Sequence, residues 1–182
     1  MASWGATDAN EAKPKWLTAA QKTDTFADSR GWVYRDPNTG LEEVLVAIGK
    51  LSAAAKLNIA DVTAVNFTTT SLSEGAGGNI DIAVSFNEKI TVTGSPTITV
   101  TNSQAGSGTD ATFTATYQSG SGRNKLTFRA TYAAADGGVA EDDVLSIANQ
   151  NIALAGGTLV DGEAVNAAVA IAGVTDTLTI SA

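Results

Sequence analysis

The chain has 182 residues, of which 43% are hydrophobic and 16% charged, a net charge of −8, and neither cysteine nor histidine. That length is enough to bury a core without metal or disulfide support. The missing residue types remove disulfides, thiolate chemistry, the usual general base and the commonest zinc ligand, so no enzymatic activity is expected.

Character changes abruptly near residue 60. Up to Ala60, seven Lys/Arg balance seven Asp/Glu, whereas Asp61 onward carries four against twelve, so the second part holds the whole charge of −8. An acidic surface of this kind repels nucleic acid. All three tryptophans, Trp4, Trp16 and Trp32, lie in the first part. The expected organisation is an anchoring arm and hairpin over residues 1–58 and a β-sandwich over 59–182.

The start, Met1 to Asp8, lacks the basic opening and apolar core of a signal peptide, and no run approaches the roughly 18 apolar residues that span a bilayer. The expectation is synthesis in a cytoplasm with no membrane partner. Residues 1 to about 16 show no sustained period, and Pro14 opposes a helix, so an extended arm is predicted. Thr18 and Gln21 have capping-box spacing, which predicts a short helix to about Ala27, ended by Gly31. Trp32 to Arg35 reads as a strand, Asp36 to Gly40 as a turn, and Leu41 to Ile48 as the return strand. One hairpin with one short helix buries too little apolar area to be stable alone, so its aromatics want a partner. Lys50 to Asp61 fits either a short helix or a linker.

Runs rich in β-branched residues follow at Val62 to Thr70, Asn79 to Phe86, Ile90 to Thr93, Thr97 to Thr101, Ala111 to Tyr117, Lys125 to Tyr132, Val144 to Ile147, Ile152 to Leu154 and Val174 to Ile180. Gly-rich turns separate most of them, the pattern of an antiparallel sandwich. Alternation places Ala111, Phe113, Ala115 and Tyr117 on one inward row, and Leu126, Phe128, Ala130 and Tyr132 on another, which makes these two runs hairpin partners. The glycine clusters lack the strand–loop–helix setting and Lys-Ser/Thr of a phosphate loop. Arg123, Lys125 and Arg129 form a basic spot too small for nucleic acid. The acidic cluster Asp136, Glu141, Asp142 and Asp143, with Asp161 and Glu163, fits solvated loops; calcium at Asp136, Asp142, Asp143 and Asp161 is the secondary expectation, though no segment matches the twelve-residue calcium loop.

The stretch Val84 to Val100, the pair Ala115-Thr116-Tyr117-Gln118-Ser119-Gly120-Ser121-Gly122 with Leu126-Thr127-Phe128, and Ile152 to Asp161 together resemble the immunoglobulin-like repeat of large bacterial surface proteins. Where such repeats continue with Asp-x-x-Gly-Asn, this chain has Asp161-Gly162-Glu163-Ala164-Val165-Asn166. The head, Trp4 to Thr18 followed by Arg30-Gly31-Trp32-Val33 and Glu43 to Gly49, is similar to the amino-terminal segment of structural proteins in tailed phages of marine cyanobacteria. This resemblance implies a virion location, with the major capsid protein or other virion subunits as partner, a homo-oligomer on the particle, and a capsid decoration role; a neck or tail position, or a glycan-binding adhesion module for a host surface, are the alternatives. The candidate coat-binding residues are Trp4, Lys13, Lys15, Trp16, Arg30, Trp32 and Arg35, as aromatic anchors and as salt links to acidic coat surfaces. For Trp4 and Trp16, insertion into the coat stands beside folding back onto the chain; for Trp32, packing under the hairpin stands beside it. No cofactor is expected.

Overall fold

A computed structural model of the protein describes residues 13–28, 30–47, 59–134, 137–161, 166–173 and 177–182. The architecture is mainly β. The predicted arm up to residue 12, most of the 50–61 segment, Ile48 and Asp136 lie outside the described residues.

The first part begins with helix α1 (Ala19–Thr23). Its capping box forms as the sequence predicts: Thr18 Oγ1 accepts from the Gln21 amide at 3.3 Å, and Gln21 Oε1 accepts from the Thr18 amide at 3.0 Å. The helix is shorter than predicted, because two hydroxyls take over its last carbonyls. Thr23 donates to Ala20 O at 2.6 Å and Thr25 donates to Gln21 O at 2.8 Å. Thr25 and Phe26, both fully buried, then lead into strand β1 (Thr25–Asp28) instead of another helical turn. Gly31, with φ at +125°, opens strand β2 (Gly31–Arg35) where it was expected to end the helix. The predicted turn holds: Asp36 Oδ1 accepts from the amides of Asn38 at 2.7 Å and Thr39 at 3.0 Å, and Gly40 takes φ +72°. Strand β3 (Glu42–Ala47) returns, and the predicted hairpin becomes a three-stranded antiparallel sheet in the order β1-β2-β3.

The second part comprises β4 (Val62–Phe67), β5 (Leu72–Ser73), β6 (Gly78–Thr93), β7 (Thr97–Asn102), β8 (Thr112–Ser119), β9 (Arg123–Tyr132), β10 (Val144–Ser146), β11 (Gln150–Asn151), β12 (Thr158–Val160), β13 (Ala170–Ile171) and β14 (Leu178–Ser181). The two runs expected at 79–86 and 90–93 are one 16-residue strand, β6, whose register against β9 shifts between Ser85 and Ile90. Among the described residues the main sheet runs β12-β6-β9-β8-β7-β10-β14-β5, with β4 also on β6, while β11 and β13 pair separately. This continuous sheet curls around a core that includes Ile80, Ile82, Phe86, Val100, Leu126, Phe128 and Leu145. Each such side chain removed from water contributes about 1.5–3 kcal/mol.

The predicted β8–β9 hairpin is present, with Tyr117 opposite Phe128 and their rings edge-on at 6.0 Å. Three expectations need correction. Ala111 is exposed and precedes β8, so the inward row begins at Phe113. The strand expected at Ile152 to Leu154 is reduced to one antiparallel bridge, Ala153 to Thr97, with β11 just before it; Ile152 turns into the core, and the Gln150 side chain accepts from Thr99 N (2.8 Å) through Oε1 and donates to Thr99 O (2.7 Å) through Nε2. The sheet is also not wholly antiparallel, since β14 runs parallel to β5 with Ile180 opposite Leu72.

The two parts touch. On β6 the inward positions are Ile80, Ile82, Val84 and Phe86, yet the outward Ala83 and Ser85 are also buried. Strand β1 packs over this face of β6 and accounts for the lost alternation.

Candidate docking surface

The expected coat-binding residues do not share one fate. Trp32 is 1% exposed, because β2 is the central strand of the head sheet and Gly31-Trp32-Val33 fill its interior. Lys13 is equally buried, and its Nζ donates to Lys22 O at 2.6 Å. Burial lowers the Lys13 pKa from 10.5 to about 8, against the opposing pull of Asp24 and with help from Lys22. Neither residue presents its side chain to a coat, which corrects their assignment as contact residues. Trp4 lies outside the described residues.

The two arginines are engaged within the head. Arg30 Nη2 lies 2.6 Å from both Asp28 Oδ2 and Glu42 Oε2, and these hydrogen bonds raise its pKa. Arg35 Nη1 stands 3.9 Å from Glu42 Oε1, and Lys89 Nζ of β6 reaches the same oxygen at 3.1 Å. Glu42 is therefore the hub of a three-cation cluster, and hydrogen bonding from Arg30, then Lys89, holds its pKa low despite burial. The expected salt links from Arg30 and Arg35 to coat carboxylates are made instead to the protein's own acids.

Lys15 and Trp16 remain open to solvent, and Trp16 is 70% exposed. Leu41 at 72% and Val44 at 38%, on the β2–β3 return, and Ile59 at 43%, at the start of the second part, are the other large exposed apolar side chains among the described residues. Among the described residues, strand β3 is an edge of the head sheet and pairs with β2 alone. Among the described residues the second part exposes no large apolar side chain beyond Ile59: Phe86, Phe113, Phe128 and Tyr132 are buried, and Phe67 and Tyr117 pack partly buried against the core.

Sequence reasoning did not find the joint between head and sandwich. The Lys125 ammonium of β9 forms a short ion pair with Asp24, Asn124 Nδ2 donates to Thr23 O at 3.1 Å, and Lys89 Nζ sits 4.8 Å above the Phe26 ring. The available signal was Ala83 and Ser85, two small residues at outward positions of β6 where a solvated strand would carry larger polar ones. The basic spot foreseen at Arg123, Lys125 and Arg129 is largely neutralised, since Arg129 holds Asp81 through two bonds of 2.6 and 2.7 Å.

The acidic loops are put to structural use. Asp143 is fully buried and accepts from Asn102 Nδ2 at 2.8 Å, the Gly106 amide at 2.8 Å and the Ala140 amide at 3.0 Å. Burial pushes its pKa up, but the bonds from Asn102, Ala140 and Gly106 outweigh that and hold it below the ordinary carboxylate value. Asp142 is exposed with φ +70°, and Asp161 is buried. Among the described residues no group of three acids is placed to hold a metal ion, so the calcium expectation gains no site there. No described helix is long and apolar enough to cross a membrane.

Compared with protein-family models, with curated proteins and with solved structures, the chain matches none.

Proposed function

We propose that the protein is a non-enzymatic virion structural component, a capsid decoration protein whose head docks on the coat and whose immunoglobulin-like domain is displayed outward. The observation that carries this reading is the distribution of exposed apolar side chains: Trp16, Leu41 and Val44 all belong to the head, and Leu41 and Val44 lie at β3, an edge strand among the described residues. An exposed indole and an open strand edge are the features that protein partners use, through aromatic anchoring and strand addition. Lys15 adds a positive charge next to Trp16, while the displayed part carries the net acidity that keeps repeated copies soluble and apart. The coat-binding set is accordingly Lys15, Trp16, Leu41, Val44 and the β3 backbone, with Trp4 preceding them in the chain. The resemblance of residues 62–182 to bacterial immunoglobulin-like repeats is consistent with the curled β-sheet and the β8–β9 hairpin.

The test is co-sedimentation of the purified protein with empty capsids that lack it. The expected result is a copy number near that of the coat subunits or their symmetry axes, with loss of binding on Trp16→Ala combined with deletion of residues 2–12. Binding of only a few copies at one vertex would assign the protein to the neck or tail. Full occupancy by the shortened variant would overturn docking through the head.

A further inference from the structure

The outward face of β7 and β8 consists of threonine. Thr97, Thr99 and Thr101 stand opposite Thr116, Thr114 and Thr112 in three consecutive cross-strand pairs. Between them, the inward Ile98, Val100, Phe113 and Ala115 hold the ribbon on the core. The face therefore presents a small lattice of hydroxyl and methyl groups, with neighbours roughly 5 Å apart across the strands and roughly 7 Å along them. Neither strand contains Asp, Glu, Lys or Arg. The nearest charge on β9, Arg129 opposite Thr116, is neutralised by Asp81.

Threonine is a good strand former, so exposure alone would mean little. Their arrangement is more informative: six threonines are paired against one another on one face with no charge among them. Elsewhere in the chain some threonine hydroxyls serve the fold, Thr23, Thr25, Thr63, Thr69 and Thr109 donating to a backbone carbonyl and Thr131 to Asn79, while among the described residues Thr91, Thr127 and Thr179 stand singly without such a bond. Among the described residues, none of the six hydroxyls on the β7–β8 ribbon has a partner within the chain, although they are paired residue against residue. Each retains one donor and two acceptor positions toward solvent.

We propose that this ribbon face binds an uncharged polysaccharide. A neutral polyol matches the face in charge and in hydrogen-bond capacity: its hydroxyls exchange donors and acceptors with the threonine hydroxyls, and its C–H faces lie against the threonine methyls. An anionic polymer is disfavoured by a chain of net charge −8. Without an aromatic platform the single site is weak. Its usefulness depends on the repeated display proposed above, where many copies on one particle convert weak contacts into avidity.

The test is affinity electrophoresis of the full-length protein in native gels containing dextran, galactomannan or alginate. The wild type is expected to be retarded by at least one of the two neutral polymers and not by alginate. The variant Thr99→Val with Thr114→Val keeps the branched shape and the strand preference but removes two central hydroxyls, and should weaken retardation roughly tenfold or more with an unchanged thermal midpoint. Equal retardation of variant and wild type, retardation by alginate alone, or none in either neutral polymer would overturn the proposal. Co-sedimentation of the wild type with capsids separates the two readings: capsid binding without polysaccharide retardation overturns only the ribbon site, and retardation without capsid binding overturns only the docking.

Discussion

At the scale of single residues, Asp143 is the most heavily committed side chain in the sandwich. Its carboxylate ties the loop after β7 to the loop before β10 through Asn102, Gly106 and Ala140. Glycine is required beside it, because a Cβ on Gly108 would lie 2.1 Å from Asp143 Oδ2 and 2.8 Å from Gly138 O. Asp143→Ala leaves three buried or part-buried donors without their acceptor and is expected to cost about 3 kcal/mol in denaturant unfolding. Because the folded-state pKa is lowered, the carboxylate's contribution is present above the unfolded value and disappears as pH falls through the folded one. Stability should therefore drop below about pH 4, with a shallower slope in Asp143→Asn. Lys13 has the opposite dependence. Burial lowers its pKa to about 8 from 10.5, so between those values the unfolded chain binds more protons than the folded one and stability rises with pH. The gain should reach about 2 kcal/mol by pH 10 and vanish in Lys13→Met, as read from denaturation midpoints across that range.

At the scale of elements, the joint between β1 and β6 decides how the head is held. Lys125 is partly exposed and Asp24 less so, so a double-mutant cycle of Asp24→Asn with Lys125→Met should give a coupling of about 1 kcal/mol. A coupling near zero would mean that apolar contact around Phe26 holds the head without the ion pair. Local chemistry made much of the fold legible in the sequence. The capping box at Thr18 and Gln21, the Asp36 to Gly40 turn and the alternation of β9 are each decided within a few residues. The helix end was not, because it is set by the Thr23 and Thr25 hydroxyls capping Ala20 O and Gln21 O and by the burial of Phe26 against its neighbours. The fusion of two predicted strands into β6 also depends on neighbours: β4 and β12 pair with its two halves, which no local pattern announces. The same limit applies to the candidate site. Exposed Trp16 and Lys15 are legible by residue type, but the burial of Trp32 and the Asp28 half of the Arg30 pair depend on β1, a strand that local pattern reads as helix, and the burial of Lys13 depends on its bond to Lys22 O.

At the scale of the whole molecule, head and sandwich are joined at one face of β6, while the chain finishes on β14, the strand beside β5. These last two strands are parallel, and further bonds reinforce them: the side chains Ser73 Oγ and Ser181 Oγ donate to Ala182 O at 2.9 Å and Leu72 O at 3.0 Å, and the Glu74 backbone amide donates to Ser181 O at 2.9 Å. Strand direction determines how such a contact responds to tension. The chain enters β5 from the head side and leaves β14 at the opposite end, so a pull between head and carboxyl terminus loads these bonds together, in shear. A pull across the β8–β9 hairpin would open bonds one at a time, as in a zipper. Single-molecule stretching should give a higher rupture force for the first geometry than for the second, and Ser73→Ala with Ser181→Ala should lower it. A strand pair built in this way resists a sudden tug along its length while remaining easy to dismantle from the side.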